Sequence, residues 1–253
     1  MYRAFNLRLR GNPFCEADIA TGRAALTTMS ATVAGRMRSC FRPDGSINGL
    51  ALRESWFPEV GGDVFISHAH RDERTALGLA GWLRSQFELS AFVDSAIWGN
   101  ALDLLHRLDK RHCWDEDRCM YDYDSRNRST AHVHMMLSTA LTAMIDQAEC
   151  VVFLNTGDSA TVRRSVTETE SPWIFFEIET VNRIRSREPA RLLRKGHEKF
   201  GRGDIGGIDE AVRYPLSLGS FTELDVDRLK SWRDGKRGAP WEHPLDVLYG
   251  MYR

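Results

Sequence analysis

The segment from Asp63 to Asp94 limits the possible folds more than any other part of the chain. Gly61-Gly62 breaks what comes before it. Asp63-Val64-Phe65-Ile66-Ser67 then follows, a β-branched and aromatic run with the pattern of a buried strand. His68-Ala69-His70-Arg71-Asp72 is a polar loop, with Asp72 placed to cap a helix. Leu77, Ala80, Gly81, Leu83 and Phe87 recur at three- and four-residue steps, which predicts a helix over 75–87. Ser90-Ala91-Phe92-Val93-Asp94 reads as a second strand. Strand, helix and strand within about thirty residues make a βαβ unit, and such a unit requires parallel strands.

The alternation continues downstream. Ser129 is placed to cap a helix over 130–147, on which His134, Leu137, Leu141 and Met144 or Ile145 recur. Glu149 to Leu154 is a near-continuous apolar run, expected of a strand covered on both faces. Ser171-Pro172 opens another helix, with Ser171 as cap and Pro172 at the first position, where its missing N–H costs nothing. Val212 to Leu216 is a candidate late strand, held to an edge because Pro215 has no amide hydrogen. A helix is expected over 221–232, with Leu224 and Leu229 inward. Arg111 to Arg128 is dense in charge and includes Trp114, Tyr121 and Tyr123, so the region near 100–129 reads as an exposed insertion. Residues 1–61 form a separate block with helical character between Glu16 and Met37 and a turn at Pro43-Asp44-Gly45. They are expected to be an N-terminal extension packed on a main domain of residues 62–253 that ends in a Pro- and aromatic-rich tail.

Charge and composition exclude several classes. A net charge of −1 over 253 residues supplies no field for nucleic acid or an anionic membrane. Apolar runs such as Cys150-Val151-Val152-Phe153-Leu154 are strand-length, too short to span a bilayer. The first residues lack the apolar core of a signal peptide. Five cysteines at irregular spacing speak for a reducing cytoplasm rather than a disulfide framework. Gly201-Arg202-Gly203-Asp204-Ile205-Gly206 matches G-x-G-x-x-G, but no strand feeds it, so a dinucleotide fingerprint is rejected. His112, Cys113, Cys119, His132 and His134 match no common zinc spacing. No metal and no resident cofactor are expected.

Position then singles out a site. In an open parallel sheet, ligands bind at the carboxyl ends of the strands where the strand order reverses. Three segments are expected to meet there: Ser67 to Arg71, Asp94 to Gly99, and the helix start from Ser171 to Glu177. Trp173 and Glu177 share a helix face. Glu177 stands among Ile174, Phe175 and Phe176, so its charge is either at a surface edge or in a cleft. The mixture suits a nucleotide: Arg71 or a helix start for phosphate, Trp98 or Trp173 for stacking, and Glu177 for a ribose hydroxyl or a developing cation.

Four pieces in this order carry a family resemblance: Asp63-Val64-Phe65-Ile66-Ser67-His68 with Asp72, Ala91-Phe92-Val93-Asp94, Cys150 to Leu154, and Ser171-Pro172-Trp173 with Glu177 four residues after the Trp. Residues 62–185 resemble a bacterial Toll/interleukin-1 receptor (TIR) domain of the NAD-cleaving type used in antiphage defence. The resemblance implies a flavodoxin-like fold, with about five parallel strands and helices on both faces. It implies NAD as substrate, cleaved at the nicotinamide–ribose bond, with ADP-ribose or a cyclic or conjugated form as product. It maps the catalytic glutamate onto Glu177 and nucleotide contacts onto the loops Ser67 to Arg71 and Asp94 to Gly99, with Ser67, His68, Arg71, Asp94 and Trp98, while Trp173 is placed to wall the pocket beside Glu177. It also implies self-association through TIR–TIR contacts and a separate sensor or effector partner. Two other classes compete: a non-catalytic TIR adaptor, and a nucleoside deoxyribosyltransferase-like enzyme with a catalytic carboxylate.

Overall fold

A computed structural model describes residues 1–31, 40, 46–93, 95, 101–156, 168–169, 171–192 and 214–252. The strands are β1 (Arg3–Leu9), β2 (Val64–Ser67), β3 (Ala91–Phe92), β4 (Trp114–Asp115), β5 (Met120–Tyr121), β6 (Cys150–Thr156), β7 (Glu168–Thr169), β8 (Tyr214–Pro215) and β9 (Thr222–Asp225). The helices are α1 (Glu16–Ala31), α2 (Gly49–Trp56), α3 (Glu73–Phe87), α4 (Ala101–His112), α5 (Tyr123–Gln147), α6 (Pro172–Arg183), α7 (Val226–Gly238) and α8 (Pro244–Gly250). Five strands form one parallel sheet in the order β3-β2-β6-β1-β9, and β4-β5 and β7-β8 are small antiparallel ribbons. The α/β class and the all-parallel sheet expected from sequence are what the chain forms, in an arrangement consistent with a flavodoxin-like fold.

Residues 3–9, read from sequence as part of an extension, are instead an interior strand. Arg3 to Leu9 pair in parallel with Cys150 to Thr156, and Phe5 to Arg8 pair with Thr222 to Asp225 on the other side. Counted from β2, the sheet reads second, first, third, then the N-terminal strand in fourth place, then β9. The strand was invisible in sequence because Arg3, Asn6 and Arg8 interrupt its apolar run.

Crossovers between parallel strands are right-handed as a rule, and that rule divides the helices between two faces according to the direction of each connection. The paths β1–α1–β2 and β2–α3–β3 move toward the β3 edge, and β3–α5–β6 and β6–α6–β9 move toward the β9 edge. The packing follows: α1 lies on α3, which touches α7, whereas α5 packs against α2, α4 and α6. On the first face Phe87 stacks on Trp232 at 4.1 Å, and Phe5 stacks on Tyr249 of α8 at 6.3 Å. Such ring pairs add about 0.5–1.5 kcal/mol beyond their buried area.

Other sequence readings need correction. A 3-10 turn at His70–Asp72 precedes α3, and Asp72 stands at the cap position without making the cap hydrogen bond. Helix α5 starts at Tyr123 because Asp122 accepts from the Ser125 amide at 2.8 Å. Ser129 lies inside it, with its hydroxyl 3.2 Å from the Cys113 thiol. The expected exposed insertion is instead α4, a hairpin in which Trp114 and Tyr121 meet edge to face, and the first turns of α5, with Leu104, Leu108 and Cys113 buried. Residues 221–232 are not one helix: β9 comes first, and Asp225 then caps α7 through the Arg228 amide at 2.8 Å. Tyr214–Pro215 pairs with β7 and not with the main sheet. Among the described residues, no helix is long and apolar enough to cross a membrane.

Helices α1 and α3 cross backbone to backbone. A Cβ at Gly22 would overlap the Leu77 carbonyl oxygen, and one at Gly81 the Asp18 carbonyl oxygen. Neither obstacle is a flexible side chain, so the helices must separate. Gly81→Ala is therefore expected to lower stability by about 1–3 kcal/mol, read as a lower urea midpoint; an unchanged midpoint is incompatible with this crossing. Cys15 and Cys119 are exposed while Cys40, Cys113 and Cys150 are buried, and burial pushes the Cys150 thiol well above its ordinary range. A thiol reagent is expected to label Cys15 and Cys119 in the folded protein, and all five cysteines only after denaturation.

Candidate functional site

The site is built on two elements whose local sequence leaves little choice. At the start of α6, Ser171 accepts from the Ile174 amide at 3.4 Å, and Pro172 occupies the first turn. With that start set, Ile174, Ile178 and Val181 turn inward at three- and four-residue steps. Glu177 precedes Ile178 on the same inward arc and is only 4% exposed. At the carboxyl end of β2, all four residues are buried, and Ser67 is the polar one among them. The Ser67 hydroxyl donates to Glu177 Oε2 at 2.5 Å. A desolvated carboxylate requires such donors. It also acts on a nearby positive charge far more strongly than a carboxylate in water.

The pair stands at a topological switch. Strands β2 and β6 are neighbours, yet the chain leaves β2 toward one edge of the sheet and leaves β6 toward the other. Connections that part in this way open a crevice at the carboxyl ends of the strands.

The residues expected at the site are distributed unevenly. Ser67 and Glu177 meet. His68, next in the chain, places Nε2 3.1 Å from the Ser95 hydroxyl, which links the segments following β2 and β3. Trp173 is half-buried one turn before Glu177, and its ring sits edge-on to His134 of α5, with centroids 5.1 Å apart. Arg71 does not join them: its side chain is 66% exposed and makes a loose 3.9 Å pair with Asp72. The 3-10 turn carries it outward. Asp94 and Trp98 lie outside the described residues.

Sequence reasoning missed a second set of polar groups on the same face. Register places Ser67 beside Phe153, Phe153 beside Asn6, and Asn6 beside Glu223. Residues paired in this way point to the same side of a sheet. Asn6 is fully buried. Its amide donates to Glu223 Oε1 at 3.0 Å, and its carbonyl oxygen accepts from Asn155 Nδ2 at 3.1 Å. Arg8 grips the same Glu223 carboxylate with Nε at 2.7 Å and Nη2 at 3.0 Å. The one signal in sequence was an asparagine inside the run Ala4-Phe5-Asn6-Leu7.

At the opposite end of the sheet, Glu149, His243 and Asp246 are the one cluster with metal-like spacing among the described residues. Arg191 already supplies its cation, pairing with Glu149 through Nη1 at 2.7 Å and with Asp246 through Nε at 2.9 Å. Burial, and then the Arg191 charge, hold the His243 imidazole below its ordinary pKa. Its neutral ring accepts from the Leu245 amide at 3.3 Å as the cap of α8. This group is a structural clamp. Against known proteins, the chain matches no family model, no curated protein and no solved structure.

The Ser67–Glu177 hydrogen bond carries a stability consequence. Ser67→Ala removes a donor from a buried carboxylate, which is expected to cost about 1–3 kcal/mol in urea unfolding. A loss below about 0.5 kcal/mol is the range of an ordinary surface substitution, and it would mean that Ser67 does not hold Glu177.

Proposed function

We propose that this chain is an NAD-consuming enzyme of the TIR kind, cleaving the nicotinamide–ribose bond in prokaryotic antiviral immunity. One observation carries the reading: a buried glutamate, held by a serine, sits at the switch point of a parallel sheet. The chemistry asks for little more. When the glycosidic C–N bond breaks, its electron pair goes to the pyridinium nitrogen, and nicotinamide leaves neutral. No strong general acid is needed. Positive charge builds on the ribose as an oxocarbenium ion, as in glycoside cleavage.

Glu177 is the group that meets this charge. Its carboxylate stabilises the cation and accepts a hydrogen bond from a ribose hydroxyl. Ser67 holds the carboxylate in place, His68 follows Ser67 in the chain and ties it to Ser95, and Trp173 lies one turn earlier on α6. Water adds to the cation, loses a proton and yields ADP-ribose; an adenine nitrogen or another acceptor in its place yields a cyclic or conjugated product. NAD is the substrate, and the reaction requires no metal or resident cofactor. Self-association and a separate sensor or effector protein belong to the same proposal, through the resemblance to TIR domains.

The test is release of free nicotinamide from NAD by concentrated protein. Glu177→Gln keeps the size of the side chain and removes its charge, and is expected to cut the rate about a hundredfold or more while unfolding remains cooperative. If folded Glu177→Gln matches wild type, Glu177 is not the catalytic group. If wild type releases no nicotinamide, the NAD-cleaving reading fails and an assembly module takes its place.

A further inference from the structure

The polar row beside Glu177 is costly as a stability device. A buried asparagine on a central strand must have its amide satisfied or lose several hydrogen bonds' worth of solvation. Leu7 and Leu9 show what an inward position of β1 ordinarily holds. The partners of Asn6 return little. Arg8 and Glu223 have side chains 61% and 55% exposed, and an ion pair so open to water adds little to stability. The arrangement does orient side chains well. Asn6 fixes one Glu223 oxygen, Glu223 fixes two nitrogens of Arg8, and the other end of Asn6 fixes the Asn155 amide. Among the described residues, Asn155 keeps its carbonyl oxygen and one amide hydrogen, and Arg8 keeps its outer N–H groups, for something outside the protein.

We infer that Asn155 and Arg8 form a second half-site, which holds the ADP portion of a dinucleotide whose nicotinamide ribose lies at Glu177. Asn6 and Glu223 are its positioning residues. This rests on the proposed NAD-cleaving function and extends it from one carboxylate to a substrate-length surface.

The spacing fits. Asn6 is two strands from Ser67, about 10 Å across the sheet, and Arg8 and Asn155 are paired two residues nearer the carboxyl ends, about 7 Å along the strands. That is the scale separating a dinucleotide's reacting ribose from its pyrophosphate and second ribose. The chemistry fits as well. An arginine whose fork is pre-set by a carboxylate presents its outer edge to phosphate oxygens. A side-chain amide offers a donor and an acceptor to a ribose diol or an adenine edge. The half-site borders the crevice from the side opposite to His68, so the two ends of one extended ligand are served by β2 and by β1 with β6. It also gives β1 a role beyond sheet pairing, since Asn6 and Arg8 both come from it.

ADP-ribose, which lacks nicotinamide, is the probe. Calorimetric titration of the full chain is expected to show ADP-ribose binding that weakens about tenfold or more in Arg8→Ala and in Asn155→Ala. Both side chains reach solvent, so both variants are expected to fold. Nicotinamide mononucleotide, which lacks the adenylate, is expected to lose much less affinity in the same variants, which separates a half-site from general damage. The inference is overturned if wild type does not bind ADP-ribose, if the variants bind it as tightly as wild type, or if both ligands weaken equally. Failure of the NAD-cleaving function looks different: ADP-ribose still binds and still depends on Arg8 and Asn155, but no nicotinamide is released.

Discussion

The pairing of β1 with β6 is the constraint on which the rest of the molecule depends. Seven consecutive residues of β1 lie in register against β6, and four of them also bind β9. Without β1, β9 has no neighbour in the sheet, and the hydrogen-bonding edge of β6 is bare. Parallel strands do not close on themselves locally, so β1 joins segments far away in sequence, Arg3 meeting Cys150 in β6 and Phe5 meeting Thr222 in β9. Such non-local pairing is costly in loop entropy until it is complete, and then it locks the whole sheet at once. The glycine crossing of α1 and α3 reinforces it, because α1 follows β1 directly and α3 follows β2.

The same pairing decides what surrounds Glu177. The carboxylate and Ser67 are contributed by α6 and β2, but the face they share continues across β6 onto β1. A sheet imposes a two-residue alternation on every strand, so one register choice sets which polar groups stand together. A one-residue slip of β1 would send Asn6 and Arg8 to the face of α3 and α8 and bring Phe5 and Leu7 in their place. Local chemistry thus supplies the charge at the site, and sheet register supplies its neighbours.

Much of this was legible in sequence wherever local rules dominate. Ser171 and Pro172 begin α6 through capping chemistry that needs no tertiary partner, and the step pattern of Leu77, Ala80, Gly81 and Leu83 marks α3 for the same reason. The apolar run at Cys150 to Leu154 announced a strand covered on both faces. Competing signals hid the rest. Two residues suit the start of α5, and Asp122 prevails because it takes an extended backbone and reaches the Ser125 amide. In β9 only Leu224 points inward, too little to show a period of two, so its four residues merged with the helix that follows.

By itself the sequence determined that the chain is α/β with parallel strands, and that Glu177 follows a capped helix start one turn after Trp173. These are consequences of spacing, capping and hydrophobic period, which act over a few residues. Only the tertiary structure decided that the first strand enters the sheet between β6 and β9, that Arg71 is largely exposed while Ser67 meets Glu177, and that Asn6, Asn155, Glu223 and Arg8 form a row on the sheet face that Ser67 shares. The physical reason is that strand neighbours are chosen by hydrogen bonds between distant segments. An isolated strand carries no record of which strand it will meet.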